Sequence, residues 1–87
     1  MTKNIALFRI FGSNVRKYRN ERGLSQRALD AQCGIDHGML SRMENGQVNV
    51  TLSTISVLAQ ALNVSCWELL FNNDDPILQE TNVAFRQ

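Results

Sequence analysis

RGLSQRALDAQCGIDHGMLSRMENG, residues 22–46, reads as two short helices fenced by glycines. Gly23 supplies the left-handed position that ends a preceding helix. Ser25 then stands where an N-cap accepts a backbone N–H. The run QRALDAQC follows, with Ala28, Leu29 and Cys33 on its buried side, until Gly34 stops it. Asp36 is the next N-cap, opening a helix in which Leu40 and Met43 face inward, and Asn45-Gly46 breaks that helix. A step of about 100° per residue turns Leu40, Met43 and Glu44 toward the body and Gly38, Ser41, Arg42 and Asn45 to the opposite side. His37 and Met39 fall at the N-terminal end and its flank. A histidine, a helix-weakening glycine, a methionine and an arginine make an odd surface to leave bare.

The flanking sequence stays helical. In residues 4–21, Ile5, Phe8, Phe11, Val15 and Tyr18 recur every three or four positions, the mark of an amphipathic helix. After the polar loop QVNV, Thr51 caps a fourth helix with Ile55, Leu58, Ala59 and Leu62 at i, i+3, i+4, i+7. Ser65 and Glu68 stand in the capping-box relation and start a fifth short helix with Trp67, Leu69, Leu70 and Phe71. The expected architecture is all-α, a compact five-helix bundle in residues 1–72, followed by a C-terminal extension in residues 73–87. That extension opens on turn formers and Pro76 but keeps Ile77, Leu78, Val83 and Phe85. It carries too many apolar residues for a solvated tail and suits packing on a second copy.

Composition narrows the function classes. The 87 residues allow one small module with no separate ligand-sensing or catalytic domain, and 44% hydrophobic with 20% charged residues is the ordinary globular mix. Cys33 and Cys66 come without a CxxC pair or a histidine cluster, which argues against a metal site or a disulfide framework and predicts two free thiols. The N-terminus lacks the pattern of a secretory signal, and no run approaches the ~20 apolar residues of a membrane span. A reducing cytoplasm is the simplest home. Charge is polarised along the chain: residues 1–46 hold eight cations against four acids, and residues 47–87 hold one cation against four acids. That asymmetry suits one side facing a polyanion and another facing a partner.

The fragments RGLSQRAL, CGID, LSRMENG and TLSTISVLAQALNV together resemble the motif series of the Cro and phage-repressor type (XRE-like) helix-turn-helix DNA-binding family. The likeness runs from about residue 11 to residue 71, and its combined spacing is specific although each fragment is not. It implies the lambda-repressor-like five-helix fold, in which the second short helix lies in the major groove of double-stranded DNA, usually as a homodimer on a palindromic operator. It also implies base reading at Gln26, His37, Gly38, Met39 and Arg42, an ion pair between Arg19 and Glu44, and phosphate contacts from the backbone N–H groups of Asn45 and Gly46. Short regulators of this kind include phage and plasmid repressors and the controllers of restriction-modification systems. Two positions depart from the pattern. Asp30 replaces a small alanine packed against the reading helix, so it needs a partner or tilts the two helices apart. Ala28 replaces a glutamate that completes the capping box with Ser25, which weakens that cap.

The residue chemistry agrees with the resemblance. Arg27, in the first turn of its helix, opposes the helix dipole by a few tenths of a kcal/mol up to ~1 kcal/mol. A DNA phosphate held there by backbone N–H groups, with Ser25, Gln26 and Arg27 beside it, compensates. Arg42 can offer two donors to guanine O6 and N7, and Gln26 can pair with adenine or bond a phosphate. Gly38 costs ~1 kcal/mol relative to alanine inside a helix, so something must approach its backbone. Met39 suits a thymine methyl and equally suits core filling. His37 can donate to a base or phosphate, or simply be solvated. Arg16 and Lys17 are additional phosphate candidates that a solvated face explains as well.

Nothing in the sequence runs a reaction. There is one histidine, no second acid or nucleophile at a plausible spacing and no glycine-rich phosphate loop, so neither an enzyme nor a cofactor or small-molecule effector is expected. The rival reading is an antitoxin-like protein-interaction module using Trp67, Phe71, Ile77, Leu78 and Phe85, with DNA binding secondary.

Overall fold

Each capping signal marks a helix end in the computed structural model, which describes residues 2–72, with side chains from residue 6 onward. The order is α1 (Thr2–Glu21), α2 (Gln26–Cys33), α3 (His37–Glu44), α4 (Leu52–Leu62) and a 3-10 helix (Cys66–Leu70). Ser25 Oγ accepts the Ala28 N–H at 3.0 Å, and Thr51 Oγ1 accepts that of Thr54 at 3.1 Å. Gly23, Gly34 and Gly46 all adopt the left-handed conformation that ends a helix. Asn63 takes the same role after α4 with φ 57°, a conformation asparagine tolerates better than most residues.

The expected five-helix count needs one correction: four segments are α-helices and the fifth is a 3-10 turn. Its Glu68 N–H donates to the Ser65 carbonyl at 3.1 Å, an i to i+3 bond, while Glu68 Oε2 accepts the Ser65 N–H at 2.7 Å. Asn14, buried on α1, anchors the end of this segment. Asn14 Nδ2 donates to Leu69 O at 3.0 Å and Phe71 O at 2.7 Å. The extension over residues 73–87 lies outside the described residues.

Every segment contributes to one core of Phe11, Val15, Leu29, Leu40, Met43, Ile55, Leu58, Ala59, Leu62 and Leu69. Ala28 and Cys33, expected on the buried side of α2, are only half-buried. Two glycines set how closely α1 crosses α3. A Cβ on Gly12 would overlap the Met43 carbonyl oxygen and fall 2.9 Å from that of Glu44. A Cβ on Gly46 would fall 2.8 Å from Arg9 Cγ. Among the described residues, no helix is long and apolar enough to cross a membrane.

Candidate nucleic-acid interface

The buried side of α3 fixes what its other side presents. Leu40 and Met43 sit in the core, and between them and the surface lies Glu44, whose side chain is fully buried. Its carboxylate is the hub of a clamp. Arg19 Nε donates to Oε2 at 2.6 Å and Arg19 Nη2 to Oε1 at 2.9 Å, a two-pronged pair. Oε1 also accepts from Gln26 Nε2 at 3.1 Å and Arg16 Nε at 3.3 Å. Arg19 Nη1 continues to Leu24 O at 2.7 Å, so the clamp joins α1, the α1–α2 turn, α2 and α3. Burial pushes the Glu44 carboxyl up, but donation from Arg19, Gln26 and Arg16 outweighs it and holds the group below its ordinary value. The same pairing raises Arg19.

The two helix N-termini differ. At α3, Asp36 Oδ2 accepts the Gly38 and Met39 N–H groups at 2.9 and 3.3 Å, and Asp30 Oδ2 accepts that of His37 at 3.0 Å. The Leu40 N–H then makes the first bond of the helix ladder, to Asp36 O at 2.9 Å, so the N–H groups of His37, Gly38 and Met39 are all satisfied within the chain. Asp30 therefore has its partner: it reaches from α2 and caps α3, and the aspartate fastens the two helices. Its Oδ2 also lies 3.4 Å from His37 Nδ1. The grouping of Asp30, Asp36 and His37 within 4.8 Å is accounted for by this capping. At α2, by contrast, Ser25 caps only Ala28, and the Gln26 and Arg27 N–H groups have no acceptor among the described residues. This end is open to an anion.

The C-terminal turn of α3 engages the backbone donors of Asn45 and Gly46 within the chain. The Asn45 N–H donates to Ser41 O at 3.1 Å, Gly46 N–H to Met43 O at 3.0 Å and Gln47 N–H to Arg42 O at 3.0 Å. These donors close the helix, so the expected phosphate contact through the backbone of Asn45 and Gly46 has no free N–H behind it. Asn45 instead offers a side chain, whose Oδ1 accepts from Arg16 Nη2 at 2.9 Å.

The remaining expected site residues divide clearly. Gly38, Met39, Arg42 and Asn45 are exposed on α3, and His37 is half-buried beside them. The close approach expected at Gly38 comes from Asp36 Oδ2, which a Cβ would meet at 2.9 Å. Met39 is 37% exposed and outside the core. Gln26 is tied to Glu44 by one N–H, a bond that uses neither its carbonyl oxygen nor its second N–H. Arg27 is exposed. Arg16 is fastened to Glu44 and Asn45 but keeps half its side chain exposed. Lys17 is not joined to this surface by any hydrogen bond; its ammonium lies 5.3 Å over the Tyr18 ring. Sequence reading missed Gly12, although a glycine in mid-helix carries the same ~1 kcal/mol signal as Gly38. It also missed Asn14, for which no local signal exists.

The helix-turn-helix family model HTH_3 matches residues 15–67, which spans Arg19, α2, α3 and α4. The control protein C.SmaI of Serratia marcescens is 44% identical over 61 residues, covering 70% of this chain and 73% of that protein. An HTH-type transcriptional regulator of Sinorhizobium fredii, y4dJ, is 40% identical over 67 residues, covering 77% and 87%. The crystal structure of the restriction-modification controller protein C.AhdI from Aeromonas hydrophila superposes with a TM-score of 0.70 at 39% identity, covering 74% of this chain and 97% of that one. The chain belongs to the helix-turn-helix, XRE-like family of DNA-binding transcriptional regulators.

Proposed function

We propose that this protein is a sequence-specific transcriptional regulator that binds a palindromic operator as a homodimer in the cytoplasm, with α3 in the major groove. One observation carries the reading. The clamp at Glu44 and the core residues Leu40 and Met43 hold α3 from behind, while its outer side carries Arg42, an exposed guanidinium with no ion pair among the described residues. Arg42 reads guanine, Gln26 reads adenine or meets a phosphate, and His37, Gly38 and Met39 line the groove. The open N-terminus of α2, with Ser25 and Arg27, takes a backbone phosphate, and Arg16 with Asn45 meets another through side chains.

Residues 1–72 form the DNA-binding unit, and residues 73–87 extend the surface for a second copy. Exposed Leu52, Val57, Trp67 and Leu70 on α4 and the 3-10 helix support that pairing. Two α3 helices about 34–36 Å apart would then reach successive major grooves on one side of the duplex. The likeness to control proteins supports a role as controller of a restriction-modification system or a similar small operon, regulated by its own concentration.

Selection of bound duplexes from a random pool, followed by titration of the selected sequence, tests the reading. Arg42→Ala is expected to cost about 1–3 kcal/mol on the selected site and to relax preference at one position in each half-site. Arg27→Ala is expected to weaken selected and scrambled duplexes alike. Equal losses on both duplexes for Arg42→Ala would remove its base-reading role. The rival protein-interaction module predicts no enrichment in the pool and a complex with a different chain.

A further inference from the structure

We infer that Arg9 is a further phosphate-binding residue, meeting the DNA strand that passes the C-terminal turn of α3; this rests on the DNA-binding reading above. Three observations lead there. First, the Arg9 stem lies across that turn: a Cβ on Gly46 would fall 2.8 Å from Arg9 Cγ and 3.1 Å from its Cα. Two helical turns further along α1, Arg16 Nη2 holds Asn45 Oδ1 at 2.9 Å. The two arginines, seven residues apart and so on one stripe of α1, bracket Asn45 and Gly46.

Second, the turn between them has no backbone donor left. The N–H groups of Asn45, Gly46 and Gln47 all close onto carbonyls of α3. A phosphate at this end of the helix must be met by side chains, and a guanidinium is the side chain best shaped for it. Third, Arg9 is uncommitted. Arg16, Arg19 and Arg22 each pair with a carboxylate, whereas Arg9, Arg27 and Arg42 make no ion pair or side-chain hydrogen bond among the described residues. Arg27 and Arg42 already face DNA in the reading above. Arg9 is the third such arginine, and it is exposed.

The competing occupant is a carboxylate of this chain. Arg9 also borders a shallow pocket of about 200 Å³ with Ile10, Ser13, Asn14 and Asn72, and Asp74 and Asp75 follow closely in the sequence. Pairing there would leave DNA affinity indifferent to Arg9.

Salt dependence separates the two. Titrations of the full chain on a pool-selected duplex and on a scrambled one, between 50 and 200 mM KCl, measure the slope of log K against log salt. Arg9→Gln keeps the Cγ that packs on Gly46, so the turn is preserved; circular dichroism checks the fold. The variant is expected to flatten the slope by about 0.9, so that its deficit shrinks about threefold across that salt range. The loss is expected to be equal on both duplexes, and Arg9→Lys is expected to restore the slope. A Gln variant with the wild-type slope, on a duplex the wild type binds, overturns the assignment. A wild type that binds no duplex at any salt overturns the DNA-binding reading itself.

Discussion

Glu44→Ala is expected to destabilise the fold by about 3–5 kcal/mol, because it removes one partner of a buried charge pair and leaves the other in place. Arg19 is only 12% exposed, and without Glu44 its guanidinium keeps only Leu24 O at 2.7 Å. Gln26 and Arg16 lose their acceptor as well. A small domain is commonly stable by about 5–15 kcal/mol, so the loss is a large share of the total and urea denaturation should find a clearly lowered midpoint at 25 °C. A loss under 1 kcal/mol would show that the clamp orients α3 without supporting it. Replacing Glu44 and Arg19 together by apolar residues is expected to recover much of the loss, since the greater cost lies in the orphaned charge.

The clamp also sets an acid limit. The Glu44 carboxyl is held below its ordinary value of 4.5, so the unfolded chain takes up a proton at a pH where the folded chain does not. Its stabilisation is complete above the ordinary carboxylate range and is lost as pH falls through the depressed folded value. Wild-type stability should therefore decline below about pH 4.5 more steeply than that of Glu44→Gln, which has no proton to gain at this position.

Gly12→Ala has an expected sign opposite to the one helix propensity gives. In the middle of α1, alanine is favoured over glycine by about 1 kcal/mol. In the fold, its Cβ would overlap the Met43 carbonyl oxygen and crowd the Glu44 carbonyl, and both obstacles are backbone that cannot rotate aside. The helices must separate, which loosens the Glu44 clamp and the burial of Phe11 and Met43. A net loss of about 1–3 kcal/mol is expected in thermal or urea denaturation. A stabilised variant would mean that α1 and α3 do not cross this closely. DNA affinity should fall with stability, since the residue lies behind α3 and touches no ligand.

Much of this molecule was legible before any coordinate. The caps Ser25, Asp36 and Thr51, the glycine stops and the apolar spacing of α1 and α4 are local signals, each read from a few consecutive residues. They fixed four helices, and the outward face of α3 followed from helical geometry alone. The Arg19–Glu44 pair came from resemblance, since two residues 25 apart announce nothing to each other in the sequence. The anchoring of the last segment by Asn14 escaped because that residue lies 55 residues upstream of the carbonyl it meets.

Asp30 makes the distinction sharpest. The family resemblance left two outcomes for an aspartate in that position, a partner or a tilt between the two helices, because an unpaired carboxylate at a helix contact is costly. Only the tertiary structure decided that the partner is the α3 N-terminus, at 3.0 Å from the His37 N–H, so that what looked like a defect in packing became a cap between helices. The same holds for the turn at Asn45 and Gly46, where the pattern suggested free donors and the fold engages them all. Periodicity and caps report energies that arise between near neighbours. The allocation of polar groups across elements depends on distances that exist only after the chain has folded.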